Sequence, residues 1–330
     1  MLSGLFWKGD AMEYIAYGGV ITNRLLYTDK TCIQDIMGGS GFYSFSALRL
    51  CTPKALLVAG VGPDFDEFYG KWMDHNLCSR AGLKVNMDKT TYNELVYAPD
   101  GTYVEYSIYG PEYEAKNAPK MKLPGKDLLP FLGDAKGICI NVALDEHCAD
   151  LLTEAKKKHP FKVMWEAPAS AISELTAIYA GEGLDGLRRR LKGVDLFSTN
   201  KPESFEIFGV STVEEAITLY QALGMPVYYR VGTKGAYMIE GTEVAYVPMI
   251  SLVPHEQEID PTGCGNSSTA AAMWAYCEGF DLLKSCIVGN VAAAYNVRQY
   301  GPYPNLLDED HREMMAHVER IYGELKEKTK

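Results

Sequence analysis

The chain predicts an α/β fold built on a mostly parallel sheet, and three observations predict it. Short β-rich runs alternate with helical patterns, as βαβ units require. Hydrophobic residues make up 47% of the 330-residue chain, ample for a buried core. A glycine-rich segment, Asp260-Pro261-Thr262-Gly263-Cys264-Gly265-Asn266, runs directly into an apolar helical stretch over residues 267–276.

Taken in order, β-branched and aromatic runs place strands over residues 14–18, 55–61, 137–142, 161–166, 196–199 and 227–231. Helical patterns fall between them, over residues 44–51, 67–81, 149–158, 212–223, 266–277 and 282–298. One stretch breaks the rhythm. Residues 92–97, the turn Ala98-Pro99-Asp100-Gly101 and residues 102–109 alternate aromatic or branched side chains with polar ones. That is a β-hairpin with two faces of different polarity, and taken alone it reads as an edge hairpin of the main sheet. The last turn, residues 324–330, reads as a solvated tail. The length allows one large domain or two smaller ones.

Bulk properties remove several function classes. A balance of 32 basic against 43 acidic residues gives −11, which opposes a nucleic-acid or anionic-membrane surface. No apolar run approaches the ~20 residues that span a bilayer. Met1 to Asp10 is too short in its apolar part, and lacks the small-residue cleavage site, for a signal peptide. The eight cysteines include no Cys-x-x-Cys pair, so reduced thiols in a cytoplasmic protein are expected. His75, His147, His159, His255, His311 and His317 form no His-Glu-x-x-His arrangement, so a zinc hydrolase has no visible ligands. The serine-hydrolase elbow Gly-x-Ser-x-Gly and the P-loop are both absent.

The glycine segment is the chemistry-bearing one. At a helix start, unpaired backbone N–H groups and the helix dipole favour an anion, most often a phosphate. A tight turn at Gly263 and Gly265 with Asn266 as N-cap accounts for the same residues. Cys264 beside such a loop reads either as a nucleophile or as a small filler, and the filler is favoured.

The segment resembles the second signature of the PfkB family of carbohydrate kinases, Asp-Thr-x-Gly-Ala-Gly-Asp. Further segments resemble that family in the same order. Gly38-Gly39-Ser40-Gly41-Phe42-Tyr43 followed by Ala47-Leu48-Arg49-Leu50 resembles its first signature. Gly60-Val61-Gly62-Pro63-Asp64 resembles a structural turn, and Asn200-Lys201-Pro202-Glu203 resembles its Asn-x-x-Glu motif. Val231-Gly232-Thr233-Lys234-Gly235-Ala236 resembles a turn on the nucleotide side. Trp165-Glu166-Ala167-Pro168 and the Gly-x-Gly-Asn ending resemble a divergent branch.

The resemblance implies a ribokinase-like three-layer sandwich formed by residues 1–330 as one domain, with a small β-sheet lid from about residues 20–37 and 88–110. It implies phosphoryl transfer from ATP, with Mg2+, to a hydroxymethyl group of a sugar or nucleoside-like small molecule. Gly263, Cys264 and Gly265 would form the anion hole. Asn200 and Glu203 would organise magnesium through water, and Gly232, Lys234, Gly235, Asn290 and Asn296 would lie on the nucleotide side. Gly38, Gly39, Asn23 and Tyr43 would line the acceptor site. Family habit also suggests a homodimer through the lid, with a monomer as the other outcome, and raises activation by K+.

Three positions depart from the pattern together. Asn23 stands for a sugar-binding Asp, Tyr43 for a sugar-binding Asn, and Asn266 for the Asp that accepts the hydroxyl proton. An amide takes up no proton at neutral pH, so the expectation is a slow kinase. The competing expectation is a protein of this fold that binds nucleotide or metabolite without turnover.

Overall fold

The computed structural model describes residues 11–99 and 103–328. The signal-peptide reading of residues 1–10, the centre of the predicted turn at 100–102, and residues 329–330 lie outside it.

The first described element is β1 (Tyr14–Tyr17), then come β2 (Ile21–Leu26) and β3 (Cys32–Ile36), helix α1 (Ser40–Cys51), β4 (Ala55–Val61), α2 (Phe65–His75) and β5 (Leu83–Val85). The hairpin β6 (Thr91–Tyr97) and β7 (Tyr103–Ser107) leads into α3 (Pro111–Met121). Next come β8 (Gly137–Ile140), α4 (Glu146–Lys156), β9 (Lys162–Glu166), α5 (Ala169–Arg190), β10 (Leu196–Asn200), α6 (Lys201–Phe208), α7 (Val213–Leu223) and β11 (Val227–Arg230). The hairpin β12 (Ala236–Glu240) and β13 (Glu243–Val247) precedes α8 (Cys264–Cys277), α9 (Leu282–Asn296) and α10 (Asp308–Lys328).

Nine strands form the main sheet in the order β13-β12-β11-β10-β9-β8-β1-β4-β5. It is parallel from β5 to β11, and only β12 runs against its neighbours. Side chains alternate between two cores, as the strand period of two demands. Tyr14 and Ala16 of β1 join Leu57 and Ala59 of β4 under α1, α2, α8, α9 and α10. Ile15 and Tyr17 join Leu56 and Val58 under α4, α5, α6 and α7. The result is the three-layer sandwich expected from the sequence.

The hairpin does not extend the main sheet. β6 pairs in parallel with β2, giving a separate four-stranded sheet, β3-β2-β6-β7. Leu25, Ile36 and Leu95 form its small core, which suits a lid.

Several boundaries differ from the periodic reading. The helix expected to reach residue 81 stops at His75, because Leu77 turns left-handed at φ 53°. Cys78 N–H then donates to the Met73 carbonyl at 2.8 Å, closing a Schellman-type end. Helix α5 carries no clean periodic signal because Gly183 breaks it at φ 61°. Helix α10 continues through the expected tail to Lys328.

Candidate active site

Parallel α/β sheets place their ligand sites at the carboxyl ends of the strands. Here four adjacent strands deliver polar residues to that edge: Asn141 just after β8, Glu166 ending β9, Asn200 ending β10 and Arg230 ending β11. Helix α8 begins against this row.

Helix α8 starts on Gly263, left-handed at φ 80°, with no side-chain cap. Asp260 is buried and its Oδ1 accepts from Thr262 N–H at 2.9 Å, shaping the turn ahead of it. Ser267 N–H donates to the Gly263 carbonyl at 2.9 Å. Among the described residues, the amides of Gly263, Gly265 and Asn266 make no hydrogen bond. Those three are the open donors of an uncapped helix start.

Cys264 departs from its expected place in the anion hole. Its amide donates inward to the Pro261 carbonyl at 3.1 Å, and its thiol lies 3.5 Å from the Ala293 carbonyl. Burial pushes that thiol up to about 11, so it is a protonated filler between α8 and α9.

Both glycines of the loop are dictated by neighbours. A Cβ on Gly263 would stand 2.2 Å from the Tyr43 ring, and one on Gly265 would stand 2.2 Å from Arg230 Nη1. The loop is thus sandwiched between an aromatic ring from α1 and a guanidinium from β11.

Arg230 belongs to a buried charge cluster centred on Glu166, which is 5% exposed. Glu166 Oε1 pairs with Arg230 Nη2 at 2.8 Å. Its Oε2 accepts from Asn141 Nδ2 at 2.6 Å and from Asn266 Nδ2 at 3.0 Å. Asn266 therefore does not stand alone; it is oriented by the carboxylate that ends β9, the middle strand of the main sheet. Among the described residues, Arg230 Nε and Asn141 Oδ1 are buried without a partner.

Of the residues expected to line the acceptor, Asn23 of β2 and Gly38 come together, and a Cβ on Gly38 would meet Asn23 Nδ2 at 2.6 Å. A Cβ on Gly39, at φ 95°, would meet the Gly19 carbonyl at 2.5 Å. Tyr43 is buried with its hydroxyl unpartnered. Burial first, and Asp260 second, hold that phenol well above its ordinary range, so it stays protonated.

On the nucleotide side the expectations divide. Asn200 and Glu203 sit at the carboxyl end of β10 but form a capping box on α6. Asn200 Oδ1 accepts from Glu203 N–H at 3.0 Å, while Glu203 accepts from Asn200 N–H and Nδ2, both at 2.7 Å. Burial raises the Glu203 carboxyl, partly opposed by the attraction of Arg230. Gly232 and Gly235 make the turn after β11 at φ 63° and 110°, and Lys234 is exposed.

The side chains of Asn290 and Asn296, expected on the nucleotide side, are bonded within the fold. Asn290 Nδ2 donates to the Val247 and Pro248 carbonyls, both at 3.1 Å, and its Oδ1 accepts from Tyr228 at 3.2 Å. It fastens α9 to the end of β13. Asn296 Nδ2 donates to the Thr262 carbonyl at 2.8 Å, bracing the glycine turn from behind. Both amides are consumed by the fold.

Three members of the site, Asn141, Glu166 and Arg230, were not singled out as site residues from the sequence. The available signal was position: Glu166 and Arg230 are charged residues closing otherwise apolar strand patterns. In a parallel sheet that is the functional edge.

A ribokinase-like sandwich whose uncapped glycine loop faces the sheet's carboxyl edge defines a class of small-molecule kinases. The family model of the pfkB family carbohydrate kinases matches residues 17–309, and the chain belongs to that family. A curated relative, the ribokinase of Bacillus subtilis, is 24% identical over 277 residues, covering 82% of this chain and 84% of that protein. The adenosine kinase of Sinorhizobium meliloti superposes with a TM-score of 0.71 at 16% identity, covering 93% of this chain and 100% of that one. An E. coli protein described as a ribokinase II, solved with ATP and Mg2+, superposes at 0.67 with 17% identity, covering 93% and 99%. Among the described residues, no helix is long and apolar enough to cross a membrane.

Proposed function

We propose that this kinase transfers the γ-phosphoryl group of ATP to a hydroxymethyl group of a sugar or nucleoside-like acceptor, and does so slowly. The observation that carries the reading is the trio of open amides at Gly263, Gly265 and Asn266. They stand where backbone donors can stabilise charge on a phosphoryl group in flight. The acceptor oxygen bonds to the γ-phosphorus as the bond to the β–γ bridging oxygen breaks. ADP leaves with that electron pair, and the hydroxyl proton leaves to water.

Asn266 gives Nδ2 to Glu166, which leaves its Oδ1 to accept the acceptor hydroxyl's hydrogen bond. It orients the hydroxyl and removes no proton. Phosphoryl transfer tolerates this, because its loose transition state depends mainly on positioning and electrostatics.

Among the described residues no group of three or more His, Cys, Asp or Glu could hold a metal. Magnesium therefore fits as a companion of the nucleotide phosphates, reached by Glu203 through water. When bound it neutralises phosphate charge. Asn23, Gly38, Gly39 and Tyr43 line the acceptor side in this reading, and Gly232, Lys234 and Gly235 border the nucleotide. The lid leaves Val104 and Tyr106 65% and 47% exposed, which supports a homodimer through its outer face. Light scattering of Val104→Glu tests this; a wild-type monomer overturns it.

The central test is ATP consumption across sugars and nucleosides, comparing wild type with Asn266→Asp. The variant is expected to turn over some acceptor about 10²-fold faster or more, the range of a positioned base. MgATP at 100 times its Kd should stabilise the wild-type fold by about 2.7 kcal/mol. Absence of both turnover and stabilisation overturns the reading. Stabilisation without turnover in either protein supports binding alone.

A further inference from the structure

The reaction just proposed leaves one partly buried charged group without a task. Arg230 ends β11 with its guanidinium against the open face of Gly265, and among the described residues only its Nη2 is engaged, by Glu166 at 2.8 Å. Its Nε is buried and unpartnered. A cation held in a site with unspent donors, beside three open amides, is a phosphate site that includes a formal charge.

We infer that Arg230 grips the terminal phosphate of the nucleotide at the anion loop, and that Glu166 and Asn141 aim it there. The inference rests on the kinase reading above and adds to it a side chain from the opposite end of the glycine loop. Uncapped amides carry only partial charges, whereas a terminal phosphate brings formal negative charge into a site that already contains Glu166 and Glu203. Arg230 is the cation placed to offset it. Glu166 is a positioning residue: it holds Nη2 at 2.8 Å and leaves Nη1 facing the loop. Asn141 and Asn266, both donating to Glu166 Oε2, fix that carboxylate in turn. The arrangement places an arginine in cis, a device that phosphoryl-transfer enzymes use to stabilise developing charge.

The small size of residue 265 matters to this arrangement. A methyl group there would displace the guanidinium from the loop.

The experiment is calorimetric titration with Mg·AMPPNP and, separately, Mg·ADP, for wild type, Arg230→Lys, Arg230→Met, Glu166→Gln, and Arg230→Met combined with Glu166→Gln. The double variant leaves no buried carboxylate unpaired, so it tests the idea even if Arg230→Met alone folds poorly. Loss of Arg230 is expected to weaken AMPPNP about 10–100-fold, the range of a lost charge-assisted contact, and ADP less than about 3-fold. Arg230→Lys should keep part of the AMPPNP preference, and Glu166→Gln alone should narrow it. A purely structural ion pair would move both nucleotides equally.

Equal weakening of both, or AMPPNP binding unchanged or tighter in the folded double variant, overturns the inference while leaving the kinase reading standing. If the wild type binds neither nucleotide, the kinase reading itself fails, and the inference with it.

Discussion

Helices α6 and α8 both begin at the carboxyl edge of the main sheet beside the Glu166–Arg230 pair, and they begin in opposite ways. Helix α6 satisfies its own first turn: Asn200 and Glu203 exchange hydrogen bonds in a closed capping box. Helix α8 starts on a left-handed glycine with no side-chain cap and leaves amides open. The difference teaches that a helix start keeps its donors open only where the sequence withholds its cap. Motif and spacing nominate both helices; hydrogen-bond accounting separates them.

Substitutions can break this contrast, the largest effect coming from the charge pair that flanks both helices. Glu166→Ala leaves Arg230 buried without its counter-charge, and we expect it to cost about 3–5 kcal/mol in urea unfolding. A cost within 1 kcal/mol would show that the pair is hydrated in solution. Gly263→Ala comes next. It forces a side chain into a left-handed φ and 2.2 Å from the Tyr43 ring, so about 2–3 kcal/mol and the loss of MgATP stabilisation are expected. Tyr43→Ala in the same chain should recover part of that stability by removing the clash.

Asn200→Ala removes the cap of α6 and should cost about 1 kcal/mol. Because α8 has no side-chain cap to lose, Ser267→Ala, one residue beyond its open turn, should change stability less.

The smallest expected effect is on pH dependence. Burial raises the Glu203 carboxyl above its usual 4.5 in the folded chain. The fold therefore favours its protonated form, and that contribution is fully present below the unfolded value. It is lost as pH rises through the folded one. Unfolding free energy should fall across that window, and Glu203→Gln should flatten the slope. An unchanged slope would place Glu203 in a more hydrated setting than its burial implies.

Much of this was legible in the chain. The alternation of strands and helices, the strand at Ala55–Val61 and the existence of the hairpin follow from local periodicity, whereas the hairpin's separation from the main sheet was expected only from the family resemblance. The glycine loop is recognisable because its backbone must turn left-handed at a helix start. Asn290 and Asn296 show where legibility ends. Each lies in a helix pattern with a polar side chain, and no local signal says whether that amide meets a ligand or a carbonyl of the fold. Packing of α9 against β13 and the turn before α8 decides it.

By itself, the sequence determined the layered α/β architecture and, through its ordered motifs, the resemblance to the kinase family, because backbone periodicity and glycine placement act over a few residues. Only the tertiary structure decided that Asn141, Glu166, Asn266 and Arg230 meet. Their neighbourhood depends on β8, β9, β10 and β11 lying side by side and on α8 crossing their ends. Side-chain partners across a sheet are set by strand order, and strand order is a property of the packed whole.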